Sequence, residues 1–393
     1  MSVSVFRPTI RRRDMDAVLT CLVSDSIGPG VLSHQLASDL AAYLGVEAGT
    51  CVRDYSTAIG LAFDAAGIAA GDQVILSPLA PGVYRKVLAS RGVRARLVDV
   101  DPASGSLTAK AVQESGILGV KAIIVHYTVG IIPEIEALSG LGLPMIEDIS
   151  EGFGGITADK RAGTYGQFTI VGLEPEHIVT AGGGAVVLAR GKHEKAELKQ
   201  ASERLPREMI LSDMNAALAI QQVKRVEQFI EKRREIAAIY HRAIMRGRHK
   251  MLIQPGETDS VYFSFAVVLA NGAREVIQYA RRKQVETVRA FESSYLAAML
   301  VEMSADPVAD ESKAEEQIAD VDSGSASDQT PGPAERLVQP ETGEGTDRVT
   351  EETASRHFPN AQSLYLRCVL FPLYPSLPRK EVEKIERVLT TLP

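Results

Sequence analysis

Three features of the sequence predict an α/β fold, with a mainly parallel sheet flanked by helices and a smaller α+β unit at the C-terminal side. First, short apolar runs such as Val74-Ile75-Leu76 and those within 94–100 and 121–125 alternate with helical stretches, the rhythm of parallel strands joined by crossover helices. Second, 144–188 reads as a buried strand ending in Ile146-Glu147-Asp148 and a glycine-broken loop. Gly182-Gly183-Gly184 then leads into the apolar run Ala185-Val186-Val187-Leu188. Third, an amphipathic helix from Ser212 to about Arg246 gives way to an apolar segment at 262–269 and a helix near 274–283, which marks the second unit.

The expected division is 1–225 for the large unit, 226–302 with 358–393 for the small one, and 303–357 as an acidic insertion. That tract is rich in Glu, Asp, Ser, Pro and Gly, with an excess of about ten acidic charges, and too poor in large apolar side chains to offset the entropy of ordering it. Disorder is expected there. Much of the net charge of -7 sits in this tract, and the remainder gives no basic footprint for nucleic acid. No apolar run approaches the roughly 20 residues of a membrane span. Arg11-Arg12-Arg13 is followed by no apolar stretch with a cleavage site, so a cytoplasmic protein is expected. Cys21, Cys51 and Cys368 are odd in number and far apart, which argues against a disulfide framework or a zinc site.

In chain order, residues 6–45 read as an entry segment and helix, with the turn Ser24-Asp25-Ser26-Ile27-Gly28-Pro29-Gly30 between two apolar-periodic stretches. Cys51-Val52-Arg53-Asp54-Tyr55-Ser56-Thr57-Ala58 opens an apolar helix that stops at Gly67. Hydroxyls at such a start serve as N-caps or, together with free N–H groups, hold a phosphate. Gly71-Asp72 turns into the strand at 73–76, and His126 ends a later strand, where a site role and a structural role are both open. Asp148, at a strand end before a polar turn and a glycine run, stands where open α/β sheets often place a cofactor, and where a plain capping residue is also at home.

Residues 147–188 resemble the active-site core of the DegT/DnrJ/StrS family of sugar-nucleotide aminotransferases, pyridoxal-phosphate enzymes of fold type I. The family reads hydrophobic-Glu-Asp-x-x-Gln, Gly-Thr-x-Gly-Asp, Ser-Phe-x-Pro-x-Lys, then Gly-Glu-Gly-Gly. This chain supplies Glu147-Asp148-Ile149-Ser150-Glu151, Gly163-Thr164-Tyr165-Gly166-Gln167, Gly172-Leu173-Glu174-Pro175-Glu176-His177 and Gly182-Gly183-Gly184. Tyr43-Leu44-Gly45, Gly71-Asp72-Gln73-Val74-Ile75, Val125-His126-Tyr127 and Leu370-Phe371-Pro372-Leu373-Tyr374-Pro375 extend the match over nearly the whole chain outside the insertion. The resemblance implies a seven-stranded-type sheet, a homodimer, pyridoxal phosphate or pyridoxamine phosphate as cofactor, and a nucleotide-sugar ligand from polysaccharide or nucleotide-sugar biosynthesis.

Carried over residue by residue, it gives Asp148 to the pyridine nitrogen, Glu151 to the neighbourhood of the ring hydroxyl, Tyr55 and Ser56 to the phosphate turn, and Gly172 to the place of a phosphate-binding serine. Anchored on Gly163-Thr164 and Pro175, the Schiff-base lysine position falls on His177; anchored on the glycine run it falls on Glu176. No lysine lies between Lys160 and Lys192. Further departures are Asp54-Tyr55-Ser56 for Ser-Gly-Thr, and Pro81 for a stacking aromatic, with Tyr84 three residues on. Glu208 and Ile210 replace an Asn and an Arg that reach the neighbouring subunit's cofactor. Two readings stay open. One is a pyridoxamine-phosphate, dehydratase-like enzyme with His177 as base; the other is a silent family member kept as a binding or dimer-partner subunit.

Overall fold

The computed structural model describes residues 2–256, 258–305 and 357–393; the insertion expected at 303–357 lies, apart from its ends, outside the described residues. The central sheet is built from β1 (Ala48–Val52), β2 (Gln73–Leu76), β3 (Arg94–Leu97), β4 (Ala122–His126) and β5 (Met145–Asp148). After the short ribbon of β6 (Ile156–Thr157) and β7 (Lys160–Arg161) come β8 (Phe168–Gly172) and β9 (Ala185–Ala189). Its seven strands run in the order β1-β9-β8-β5-β4-β2-β3. The pairs among β3, β2, β4, β5 and β8 are parallel, while β9 is antiparallel to both β8 and β1.

Helices on both faces explain why these strands are apolar throughout rather than alternating. Ile123, Val125 and Met145 enter one core and Ile124 and Ile146 the other. The same period of two sends Glu147 and Asp148 to opposite faces of β5.

Helices α1 (Arg12–Val23) and α2 (Val31–Leu44) flank the expected turn, and α3 (Tyr55–Ala65) follows β1. The first amides of α2 lack helical partners; those of Gly30, Leu32 and Ser33 donate instead to the Asp213 carboxylate at 2.9, 3.1 and 2.8 Å. The expected continuous helix from Ser212 is two helices, Asp213–Val223 and Val226–Ile244. Arg225 leaves helical geometry at φ -123° and ψ 9°. Its guanidinium reaches the fully buried Asp14 carboxylate, a long-range tie at a break that contains neither glycine nor proline.

The small unit carries β10 (Lys250–Met251), β11 (Thr258–Asp259), β12 (Phe265–Val268), β13 (Val288–Arg289) and β14 (Cys368–Phe371). Four of these form the antiparallel sheet β10-β12-β14-β13, and β11 joins β6 instead. Val3 bridges to Val285 and enters this unit's core, so the first residues of the chain lie with the second unit. Arg233 ties the helix Val226–Ile244 to it, with Nη1 donating to the carbonyls of Tyr262, Phe263 and Leu373 at 3.1, 2.7 and 2.9 Å. No helix among the described residues is long and apolar enough to cross a membrane.

Candidate active site

The C-terminal ends of β4, β5 and β8 bring His126, Asp148 and Gly172 to one edge of the sheet, with His126 and Asp148 in register. Asp148 is fully buried. Its Oδ2 accepts from the hydroxyls of Tyr55 and Tyr84, the latter at 2.7 Å. Its Oδ1 accepts from the Ser150 amide at 3.2 Å and from the Ser150 hydroxyl at 2.6 Å. Burial and then the adjoining Asp148 carboxylate push both phenols well above their usual range, so both are neutral donors. The two rings meet edge to face, 6.3 Å apart at 84°.

At the start of α3 the Asp54 carboxylate is the N-cap. It accepts from the Thr57 amide at 2.8 Å, from the Thr57 hydroxyl at 2.7 Å and from the Ser56 hydroxyl. Burial works against its ionisation, but these bonds outweigh it and hold the carboxyl below its ordinary value. An anion therefore already sits at the positive end of the helix.

His177 is presented by a loop folded on the Leu173 carbonyl, which accepts from the amides of Ala181 and Gly183 and from the Thr180 hydroxyl. Gly182, Gly183 and Gly184 have φ of 76°, 138° and 99°, a sequence of backbone conformations that glycine alone adopts readily. The imidazole lies against the end of β8, where a Cβ on Gly172 would stand 2.3 Å from Cε1. Close approach of the ring is thus what this glycine permits. Nδ1 accepts the Glu174 amide at 3.0 Å, which assigns the proton of the neutral ring to Nε2. Burial lowers the pKa of His177; Glu176 and Asp148 oppose that shift and His126 adds to it.

Of the other residues expected here, Glu151 turns to the amide of Val129, a residue at φ 49° in the turn after β4. Burial raises its pKa, and His126 pulls it back. The Ser56 hydroxyl is engaged with Asp54. His126 has Nδ1 3.4 Å from the Thr128 hydroxyl, while its buried Nε2 has no partner. Tyr84, three residues after Pro81, packs in the core and bonds Asp148. Ser150 joins two site strands by accepting the Gly172 amide at 2.8 Å while donating to Asp148, a role that its sequence position alone does not disclose.

Pyridoxal phosphate requires an amine for its imine, an anion cradle and a carboxylate for the ring nitrogen. Here Asp148 is bonded to Tyr55, Tyr84 and Ser150, Asp54 caps the helix whose start the resemblance gives to the phosphate, and residues 161–191 contain no lysine. The side chains present do not fit the group. A concavity of about 860 Å³ lies elsewhere, between α1, the turn 24–30 and the helix Asp213–Val223.

A family model described as the DegT/DnrJ/EryC1/StrS aminotransferase family matches residues 8–321. The L-glutamine:2-deoxy-scyllo-inosose aminotransferase of Micromonospora echinospora is 28% identical over 249 residues, which are 56% of this chain and 59% of that relative. The chain therefore spans about three-fifths of that relative's length. Among solved structures, the aminotransferase TlmJ from Streptoalloteichus hindustanus superposes with a TM-score of 0.77 at 21% identity, over 99% of this chain and 98% of that one. The PMP-form of the putative sugar aminotransferase Spr1654 from Streptococcus pneumoniae gives a TM-score of 0.80 at 14% identity, over 99% and 97%. At these identities the structural likenesses show a shared fold.

Proposed function

Because the chain belongs to the DegT/DnrJ/EryC1/StrS aminotransferase family, we propose that it is a sugar-aminotransferase-like protein that does not itself transfer an amino group. On this reading it is a cytoplasmic homodimer that serves as a binding or partner subunit in nucleotide-sugar or polysaccharide synthesis. The observation that carries the reading is His177. Amino transfer through pyridoxal phosphate needs a primary amine that forms and releases an imine. In the register anchored on Gly163-Thr164 and Pro175 that position falls on an imidazole, with Nδ1 engaged by the Glu174 amide, and neither register supplies a lysine. A ligand of the sugar or cyclitol class is supported by the relative that is named for 2-deoxy-scyllo-inosose.

The pyridoxamine-phosphate reading, with His177 as base, keeps one observation in its favour. Burial holds the ring neutral, as a base must be. Against it, the tautomer set by Glu174 leaves Nε2 protonated, so a base at Nε2 requires that bond to break.

The test incubates the purified chain with pyridoxal phosphate, an amino donor and a panel of keto sugars, free and nucleotide-linked. The expected result is no amino sugar. Amino transfer would overturn the reading. Loss of a sugar hydroxyl that depends on pyridoxamine phosphate and disappears in His177→Gln would establish the dehydratase-like one.

A further inference from the structure

We propose that Asp54 and Tyr55 are a built-in replacement for the family's cofactor, the carboxylate standing for the phosphate and the phenol for the pyridine ring. The proposal rests on the family assignment and goes beyond lost amino transfer, because a chain without the lysine has no need to fill the rest of the site. Both anchor points are met by consecutive residues. The Asp54 carboxylate takes the first-turn amide and hydroxyls of α3, where helix geometry and dipole favour an anion. From the adjoining backbone position the Tyr55 side chain crosses to Asp148 and gives Oδ2 a hydrogen-bond donor, the service that a protonated ring nitrogen performs.

The match is incomplete in charge, and the rest of the pocket answers that difference. A phenol is a neutral donor, weaker toward a carboxylate than a pyridinium. Asp148 receives three more donors, from the Tyr84 hydroxyl and from the Ser150 amide and hydroxyl. A buried carboxylate needs this many bonds to remain in place without a cation. Being covalently part of the chain, the replacement competes with any free ligand at a high effective concentration. The site is then set in a ligand-bound arrangement permanently, and the surface around it needs no cofactor to hold its shape.

The test is equilibrium dialysis with pyridoxamine phosphate, which has no aldehyde to react with surface lysines, on the full chain and on Asp54→Ser/Tyr55→Gly. Serine keeps an N-cap while removing the carboxylate. The expected result is no saturable binding by the native chain and a gain in affinity of about tenfold or more in the double variant, lost when inorganic phosphate is added. If circular dichroism shows that this variant does not fold, Tyr55→Ala replaces it. With Asp54 kept, the opened ring slot should take pyridoxamine in preference to its phosphate. Saturable binding of pyridoxamine phosphate by the native chain, or folded variants that bind no more tightly than it does, would overturn the proposal. No amino donor or sugar is present, so that failure would leave the loss of amino transfer, which rests on His177, standing.

Discussion

Glu147 and Asp148 are consecutive, equally buried and aimed at opposite faces of one strand, yet backbone holds the first and side chains hold the second. Glu147 accepts the amides of Gly163 at 3.0 Å and Tyr165 at 2.7 Å, that of Gly166, and the Tyr127 hydroxyl at 2.6 Å. Burial raises its pKa and those bonds oppose the shift. Asp148 takes its donors from three side chains and one amide, with Tyr84 and Tyr55 lying 64 and 93 residues away along the chain. A carboxylate held by amides serves any sequence that makes the same turn. One held by hydroxyls has partners that single substitutions can exchange without moving the backbone. The fold therefore resides in the first residue and the identity of the site in the second.

The comparison breaks most visibly at Glu147. Glu147→Ala strands three buried amides and a phenol, and should cost about 3–5 kcal/mol in a urea unfolding series. A loss under about 1 kcal/mol would mean that the turn does not depend on the carboxylate. Tyr55→Phe should cost only about 1 kcal/mol by the same measurement, since Asp148 keeps Tyr84 and Ser150. Equal costs at the two sites would erase the distinction drawn here.

The smallest effect is a pH dependence. His177 has its pKa below the ordinary 6.5 through burial, so between its folded value and 6.5 the unfolded chain binds the extra proton. Its contribution is fully retained above about 6.5 and is lost as pH falls toward the folded value. The stability of the native chain relative to His177→Gln should accordingly decline as pH drops below that point. A difference independent of pH would contradict a buried, neutral ring.

Much of the fold was legible because it depends on local periodicity. The strands around 74–76, 94–97 and 122–126, the helix stop at Gly67 and the glycine run at 182–184 all announce themselves within a few residues. The break at Lys224-Arg225 did not, because neither residue is a helix breaker and the bond of Arg225 to Asp14, some two hundred residues away, leaves no local mark. Nor did the pairing of Val3 with Val285. At the site, the resemblance singled out Asp148, Gly172 and His177, which lie at or against neighbouring strand ends, and residues 54–56 depart from the family's Ser-Gly-Thr. What the sequence did not disclose is where the Tyr55 and Tyr84 hydroxyls point, since side-chain reach across a sheet edge leaves no periodic trace. The tautomer of His177 was hidden for the same reason, being decided by one amide in a folded loop.

The most direct measurement is a crystal structure of the native chain grown with saturating pyridoxamine phosphate. The expected result is Tyr55 bonded to Asp148 and Asp54 capping α3, with no ligand between them. Pyridoxamine phosphate bound against Asp148, with the Tyr55 ring displaced, would contradict a site completed by its own side chains.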